Sequence, residues 1–248
     1  SYSIGDKGGQ VAGRKLLIAT GALERPMPIP GWTLPGVMTA GAAQILMKSS
    51  GLVPENAVLV GSGPLIYLLA SQMLAAGAPP KALVETQTKQ DMIAGTRHIA
   101  GAARGWKAIA KGVRMLGKIR AAGVSRYTGA YGLRVLGEEQ PEGISFQSKG
   151  QQHELESTTV LLHQGVVPNM QITHALQLDC RWDEQQQCFH PVLDRWGKSS
   201  SDTVFVAGDG AGIGGAGGAA AATDRETRKE AAIGGGLGGA IGTMFEQS

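Results

Sequence analysis

Between residues 57 and 85 the hydrophobic pattern changes twice. Residues 57–61 (AVLVG) are apolar without alternation, which predicts a strand buried on both faces. Gly61-Ser62-Gly63 then breaks the run with a tight turn. Residues 64–76 are apolar nearly all round, which predicts a buried helix, and Gly77 stops it. Pro64 suits the first turn of that helix, where an N–H has no intrahelical partner. Residues 81–85 read as a second buried strand ending on Glu85. Strand, glycine turn and helix in this order form the first half of a βαβ nucleotide-binding unit, and residues 81–85 its second strand.

The rest of the pattern is arranged around this stretch. Residues 1–13 are polar and glycine-rich and read as the end of a hairpin. Residues 14–20 (RKLLIAT) read as a short buried strand. Pro26, Pro28, Pro30 and Pro35 forbid helix or central strand and mark an ordered crossover. Residues 39–50 predict a helix with Thr39 as its N-cap. A long amphipathic helix broken by glycines is expected over 99–122. Strands are expected at 123–129, 131–137, 143–148 and 157–163, with polar Gln/Glu turns between them. A short helix follows at 169–176, then strands at 189–194 and 203–206. Beyond them, Gly/Ala runs alternate with a charged helix at 223–232, whose Glu, Arg and Lys spacing suits an exposed surface.

Composition narrows the classes. Apolar residues make up 42% of 248, enough for a real core, and the net charge is only +3. The basic positions Arg104, Lys107, Lys111, Arg114, Lys118 and Arg120 fit a solvated helix face better than an anionic partner surface. With 5% aromatic residues the chain lacks a stacking platform for nucleic acid, and no nucleic-acid partner is expected. Cys180 and Cys188 are too widely spaced for a zinc knuckle, an iron–sulfur site or a redox pair, so two free thiols and no metal are expected. No run of ~18 apolar residues predicts a transmembrane helix.

Two stretches carry candidate chemistry. In the first, Gly61, Ser62, Gly63, Pro64 and Leu65 put backbone N–H groups at a helix start, where a phosphate would be held. The G-x-G-x-x-G/A fingerprint is broken by Ile66, so nucleotide binding and a purely structural turn both stay open. Glu85 lies 24 residues after Gly61, where an acid would hold a ribose hydroxyl; a solvated strand end is the alternative. In the second, residues 203–212 (TVFVAGDGAG) run a buried strand into Gly208-Asp209. Asp209 can accept ligand hydroxyls or cap a helix. His98, His153, His163, His174 and His190 are scattered, and no catalytic residue is named.

Three phrases occur in order: LLIATGALERPMPIPGW, VLVGSGPLIYLLASQMLAAG and VFVAGDGAGIGGA. Together they resemble the flavoproteins with two dinucleotide domains, the pyridine nucleotide–disulfide oxidoreductase fold. GALERPMPIPGWTLPGV and GSGPLIYLLA further resemble the FAD-binding subunits of multi-subunit amine or amino-acid dehydrogenases. That group includes the FAD-binding subunits of opine (octopine or nopaline) oxidase and of hydrogen cyanide synthase, and the α subunits of hydroxyproline and proline dehydrogenases. The resemblance spans about residues 14–216. It implies an α/β fold with two Rossmann-like domains, an NAD-type domain inserted in an FAD-type domain that is incomplete at its N-terminus. The expected boundaries are 1–52 for the first part of the FAD-type domain, 53–160 for the NAD-type domain, and 161–248 for the return segment and tail.

The same resemblance places Ala19, Thr20 and Gly21 near FAD, Asp209 after Gly208 on its ribityl chain, and Gly210 to Gly215 at the start of a flavin-facing helix. Gly61, Ser62, Gly63 and Glu85 match the second nucleotide site, for NAD(P) or ATP. Residues 163–169 (HQGVVPN) match the segment that returns to the FAD-type domain. The implied function is that of one subunit in an oxidoreductase acting on an amine, opine or amino-acid-like substrate. Its implied partners are a β subunit carrying its own flavin and a small iron–sulfur subunit, in the cytoplasm or at the inner face of the membrane. The alternatives are a single-chain NAD(P)H-dependent flavin reductase and a non-catalytic nucleotide-binding assembly subunit. The family's own N-terminal G-x-G-x-x-G is not found before residue 14, so a fragment or processed chain is expected.

Overall fold

The computed structural model describes residues 2–88, 106–184 and 186–212. Gly215, the helix expected at 223–232 and the first part of the helix expected at 99–122 lie outside the described residues. The chain divides into two compact units. The described residues of one, called the continuous unit below, are the single stretch 24–166; the other takes its described residues from 2–23 and 167–212.

In chain order, an exposed hairpin of β1 (Tyr2–Ile4) and β2 (Lys7–Gly9) comes first, then β3 (Leu16–Ile18) and β4 (Ala22–Glu24). The continuous unit begins there. Its strand β5 (Val37–Thr39) forms directly after the last proline of the crossover. Helix α1 (Ala40–Ser50) is capped as expected: the Ala42 N–H donates to Thr39 Oγ1 at 3.3 Å, and Gly51 ends it in the left-handed region. Next come β6 (Val58–Ser62), α2 (Pro64–Ala75) and β7 (Ala82–Glu85), the predicted strand–turn–helix–strand. Helix α3 (Trp106–Ala121) leads to β8 (Ser125–Thr128), and β9 (Tyr131–Leu136), β10 (Gly143–Ser148) and β11 (Gln151–Glu156) form an antiparallel meander. Strand β12 (Val160–Gln164) completes the unit.

Its central sheet is parallel throughout, in the order β5-β12-β6-β7-β8. The sheet is covered on both faces. Leu59, Leu83 and Leu161 pack among α1, α2 and α3, whereas Val58, Val60, Val84, Val160 and Leu162 face the meander through Ile144 and Phe146. Burial on both faces explains the unbroken apolar runs in the strands. Ile66, which breaks the fingerprint, is fully buried in the helix-side core, and α2 still begins at Pro64. After β6 the chain moves through β7 to β8 on one side, then returns as β12 on the other. The reversal between β6 and β12 is a topological switch point, where ligands of open α/β sheets bind beyond the strand C-termini.

The other unit resumes through β13 (Val166–Pro168), which pairs with β4; the unit boundary runs through these two strands. It continues with α4 (Gln171–Ala175), the antiparallel pair β14 (Cys180–Asp183) and β15 (Cys188–Pro191), and β16 (Val204–Val206). Ile18, Leu178, Val204, Val206 and Ala211 form its core.

The continuous unit is larger than the 53–160 expected for it, because β5 hydrogen-bonds to β12 as the edge of the parallel sheet and α1 packs on its helix face. Five strands were not expected: the three-residue β4, β5 and β13, and the longer β11 and β14. β11 falls in a stretch read as polar turn, since it is an edge strand whose side chains are mostly exposed and needs no apolar alternation. β14 is likewise half-exposed and, among the described residues, pairs with β15 alone.

Candidate functional site

Each unit carries one glycine turn at the C-terminal ends of parallel strands. In the discontinuous unit, β16 runs parallel to β3 in the register Val204–Leu16 to Val206–Ile18, and the Ala207 N–H donates to the Ile18 carbonyl at 2.9 Å. The pairing brings the Ala19-Thr20-Gly21 turn beside Gly208-Asp209. A side-chain carbon on Gly210 would sit 3.4 Å from the Gly21 carbonyl oxygen and 3.7 Å from Thr20 Oγ1. Asn169 ties the arrangement down: its N–H donates to the Gly21 carbonyl at 3.0 Å, and its carbonyl accepts from Thr20 Oγ1 at 3.4 Å.

Gly208–Ala211 is a single 3₁₀ turn, and both Gly21 and Gly208 have positive φ (68° and 69°). The Asp209 side chain does not cap this turn. It is exposed at the end of the strand pair, so its carboxylate is free to take hydroxyl donors from a ligand. Ala19, Thr20, Gly21, Gly208 and Asp209 are thus brought together, and exposed backbone and one acid suit the polyhydroxyl chain and phosphates of a flavin nucleotide.

In the continuous unit, Gly61 and Gly63 have φ of 130° and 103°, values that L side chains rarely adopt. Gly63 caps α2 without a side-chain hydrogen bond, and the first turn holds no acidic residue. The N–H groups at the start of α2 therefore remain available to an anion. Leu65 offers only its backbone, because its side chain is buried in the helix-side core. This turn fits a phosphate-bearing nucleotide. On the neighbouring strand, Gln164 lies across from Ser62, and its buried Oε1 takes no hydrogen bond among the described residues.

Glu85 is placed differently from a ribose-binding acid. It is 2% exposed, and both its oxygens accept from Arg126 of β8, Oε1 from Nε at 2.5 Å and Oε2 from Nη2 at 2.8 Å. Arg126 also reaches the Tyr67 hydroxyl at 3.5 Å and lies over the Tyr67 ring. The hydrogen bonds to Glu85 hold the Arg126 guanidinium well above its ordinary value. Burial first, then the Glu85 carboxylate, push the Tyr67 hydroxyl up to about 12. The acid thus serves a buried ion pair, and no free carboxylate stands at the end of β7 for a ribose. Arg126 and its role were missed in the sequence, because only the β7–β8 register brings it to Glu85.

A further pair that sequence reasoning missed lies beneath the turn. His163 Nδ1 and Glu24 Oε1 are 2.5 Å apart, and Glu24 Oε2 accepts the Gly41 N–H at 2.8 Å. No group of three or more metal-binding side chains comes together among the described residues.

One unit carries a parallel sheet with a glycine turn at its switch point, and the other a strand that ends in Gly-Asp; both belong to Rossmann-like folds. The sequence profile of the pyridine nucleotide-disulphide oxidoreductases matches residues 2–232, and the chain belongs to that family. The opine oxidase A-subunit of Rhizobium meliloti is 40% identical over 215 residues, covering 86% of this chain and 40% of the relative. The HcnB subunit of hydrogen cyanide synthase from Pseudomonas aeruginosa is 29% identical over 207 residues, covering 80% and 44%. The chain thus spans well under half the length of these curated relatives. Among solved structures, the L-proline dehydrogenase of P. horikoshii superposes with a TM-score of 0.53 at 18% identity, over 80% of this chain and 30% of that one, a likeness of fold.

Proposed function

We propose that the chain is the nucleotide-holding part of a multi-subunit, FAD-dependent oxidoreductase acting on an amine, opine or amino-acid-like substrate. The observation that carries this reading is the 40% identity to one of the opine oxidase subunits over most of the chain. The geometry of the two turns supports it. Thr20, Gly21, Gly208 and Asp209 would hold FAD, which would relay electrons taken from the substrate in a partner subunit. Asp209 accepts hydroxyls of the bound group, and Asn169 keeps the Thr20-Gly21 turn in register with it. The turn at Gly61–Gly63 holds the phosphates of a second nucleotide, NAD(P) or ATP. With Glu85 locked to Arg126, that nucleotide is recognised by its phosphates and not through a carboxylate on its ribose. The oxidising centre lies in a partner subunit with its own flavin, and a small iron–sulfur subunit is a further partner. Among the described residues no helix is long and apolar enough to cross a membrane.

The test is dye-linked oxidation by the assembled complex. An opine or an amino acid is expected to reduce the dye. Asp209→Asn lowers the rate about tenfold through loss of FAD, in line with a charge-assisted hydrogen bond of ~1.5 kcal/mol or more. Dye reduction driven by NADH, with no amine-type substrate oxidised, overturns the reading in favour of a flavin reductase.

A further inference from the structure

The N-termini of α1 and α2 lie side by side at the same end of the sheet and are served unequally. At α1, Thr39 takes the Ala42 N–H and Glu24 takes the Gly41 N–H. At α2, Gly63 brings no side chain and Pro64 no N–H, so the donors of Leu65 and Ile66 have no capping partner. A hydrogen-bonded line runs from the first of these ends toward the second. Glu24 Oε2 is fixed by α1, Glu24 Oε1 meets His163 Nδ1, and the ring of His163 extends from there to the turn.

His163 sits on β12 directly across from Gly61 and is 1% exposed. Its second nitrogen, Nε2, has no hydrogen-bond partner among the described residues. It lies 3.4 Å from where a side-chain carbon of Gly63 would be, so it faces the second glycine of the turn. A carboxylate on one ring nitrogen fixes the orientation of the other. Nε2 faces the glycine turn at the start of α2, where the N–H groups have no side-chain cap.

We propose that His163 is a phosphate-binding residue of this turn, donating from Nε2 to a phosphate oxygen of a nucleoside diphosphate group, with Glu24 as the positioning residue behind it. The inference rests on the reading that Gly61–Gly63 holds a nucleotide. It adds a side-chain contact, from the strand beyond the switch point, to a site otherwise built from backbone.

The test uses the full-length protein and ADP, a group shared by FAD, NAD(P) and ATP. In wild-type protein labelled with ¹⁵N-histidine, saturating ADP is expected to shift the Nε2 resonance of His163, and adenosine without phosphate is expected to leave it unmoved. By calorimetry, His163→Asn weakens ADP binding about tenfold. Glu24→Gln weakens it about threefold and reduces the Nε2 shift, which loss of packing alone would not do. If ADP binds wild-type protein while the His163 resonances stay still, or binds His163→Asn equally well, the inference is overturned and the nucleotide reading stands. If ADP does not bind wild-type protein at all, both fall. The resonance measurement needs no variant, so it decides the matter even where His163→Asn fails to fold.

Discussion

Gly61→Ala is expected to leave little folded protein. A side-chain carbon at this position would overlap the His163 carbonyl oxygen far inside van der Waals contact and come within 2.7 Å of the carbonyl carbon. Both atoms are backbone of the paired strand β12, so neither can swing aside. The φ of 130° adds a conformational cost of about 1–3 kcal/mol. Together these place the substitution among the exceptional ones, at about 4 kcal/mol or more. Gly77→Ala is the control. Gly77 also has positive φ (80°), but a side-chain carbon there meets nothing within 4 Å, so only the conformational term remains, about 1 kcal/mol. Urea denaturation of the two variants measures the difference. Equal midpoints would mean that β6 and β12 are not in the register described.

The second large effect belongs to Arg126. Replacing it by methionine leaves the Glu85 carboxylate buried without the two donors that Arg126 supplies. Losing one partner of a buried ion pair costs about 3–5 kcal/mol, and the low end applies because the Arg126 side chain is 35% exposed and water can reach part of the gap. The double variant Glu85→Leu with Arg126→Met is expected to recover most of the loss, since the charge is removed along with its partner. Thermal denaturation of the single and double variants checks this. If the double variant is no more stable than Arg126→Met, the cost of the single change did not come from an uncompensated carboxylate.

The parts of the fold that were legible in the sequence are those set by local pattern. The apolar run of β6, the glycine turn, Pro64 at the start of α2 and the Thr39 cap each depend on residues within a few positions of one another. What was not legible depends on register. His163 looked like one of five scattered histidines until β12 was paired with β6, and Glu24 had no visible role until α1 was placed over it. Glu85 stood at the right distance from the turn to be a ribose acid. The sequence carried no sign that the third strand would supply an arginine to both its oxygens. β11 was unreadable for a related reason: an exposed edge strand next to a well-packed one takes its order from its partner and can be built of polar residues.

The Thr20-Gly21 and Gly208-Asp209 turns are an intermediate case. Each is recognisable as a short phrase, but only the parallel pairing of β3 with β16 puts them side by side. Asn169 owes its role to the same closure, binding a turn far from it in the chain.

The central claim, that this chain carries nucleotide cofactors, is tested most directly by native mass spectrometry of the purified full-length protein, with the bound groups released and identified. The account predicts FAD and an adenine nucleotide held at separate sites, with FAD depleted in Asp209→Asn and the second nucleotide retained. Protein that is fully folded yet releases neither flavin nor adenine nucleotide would contradict it.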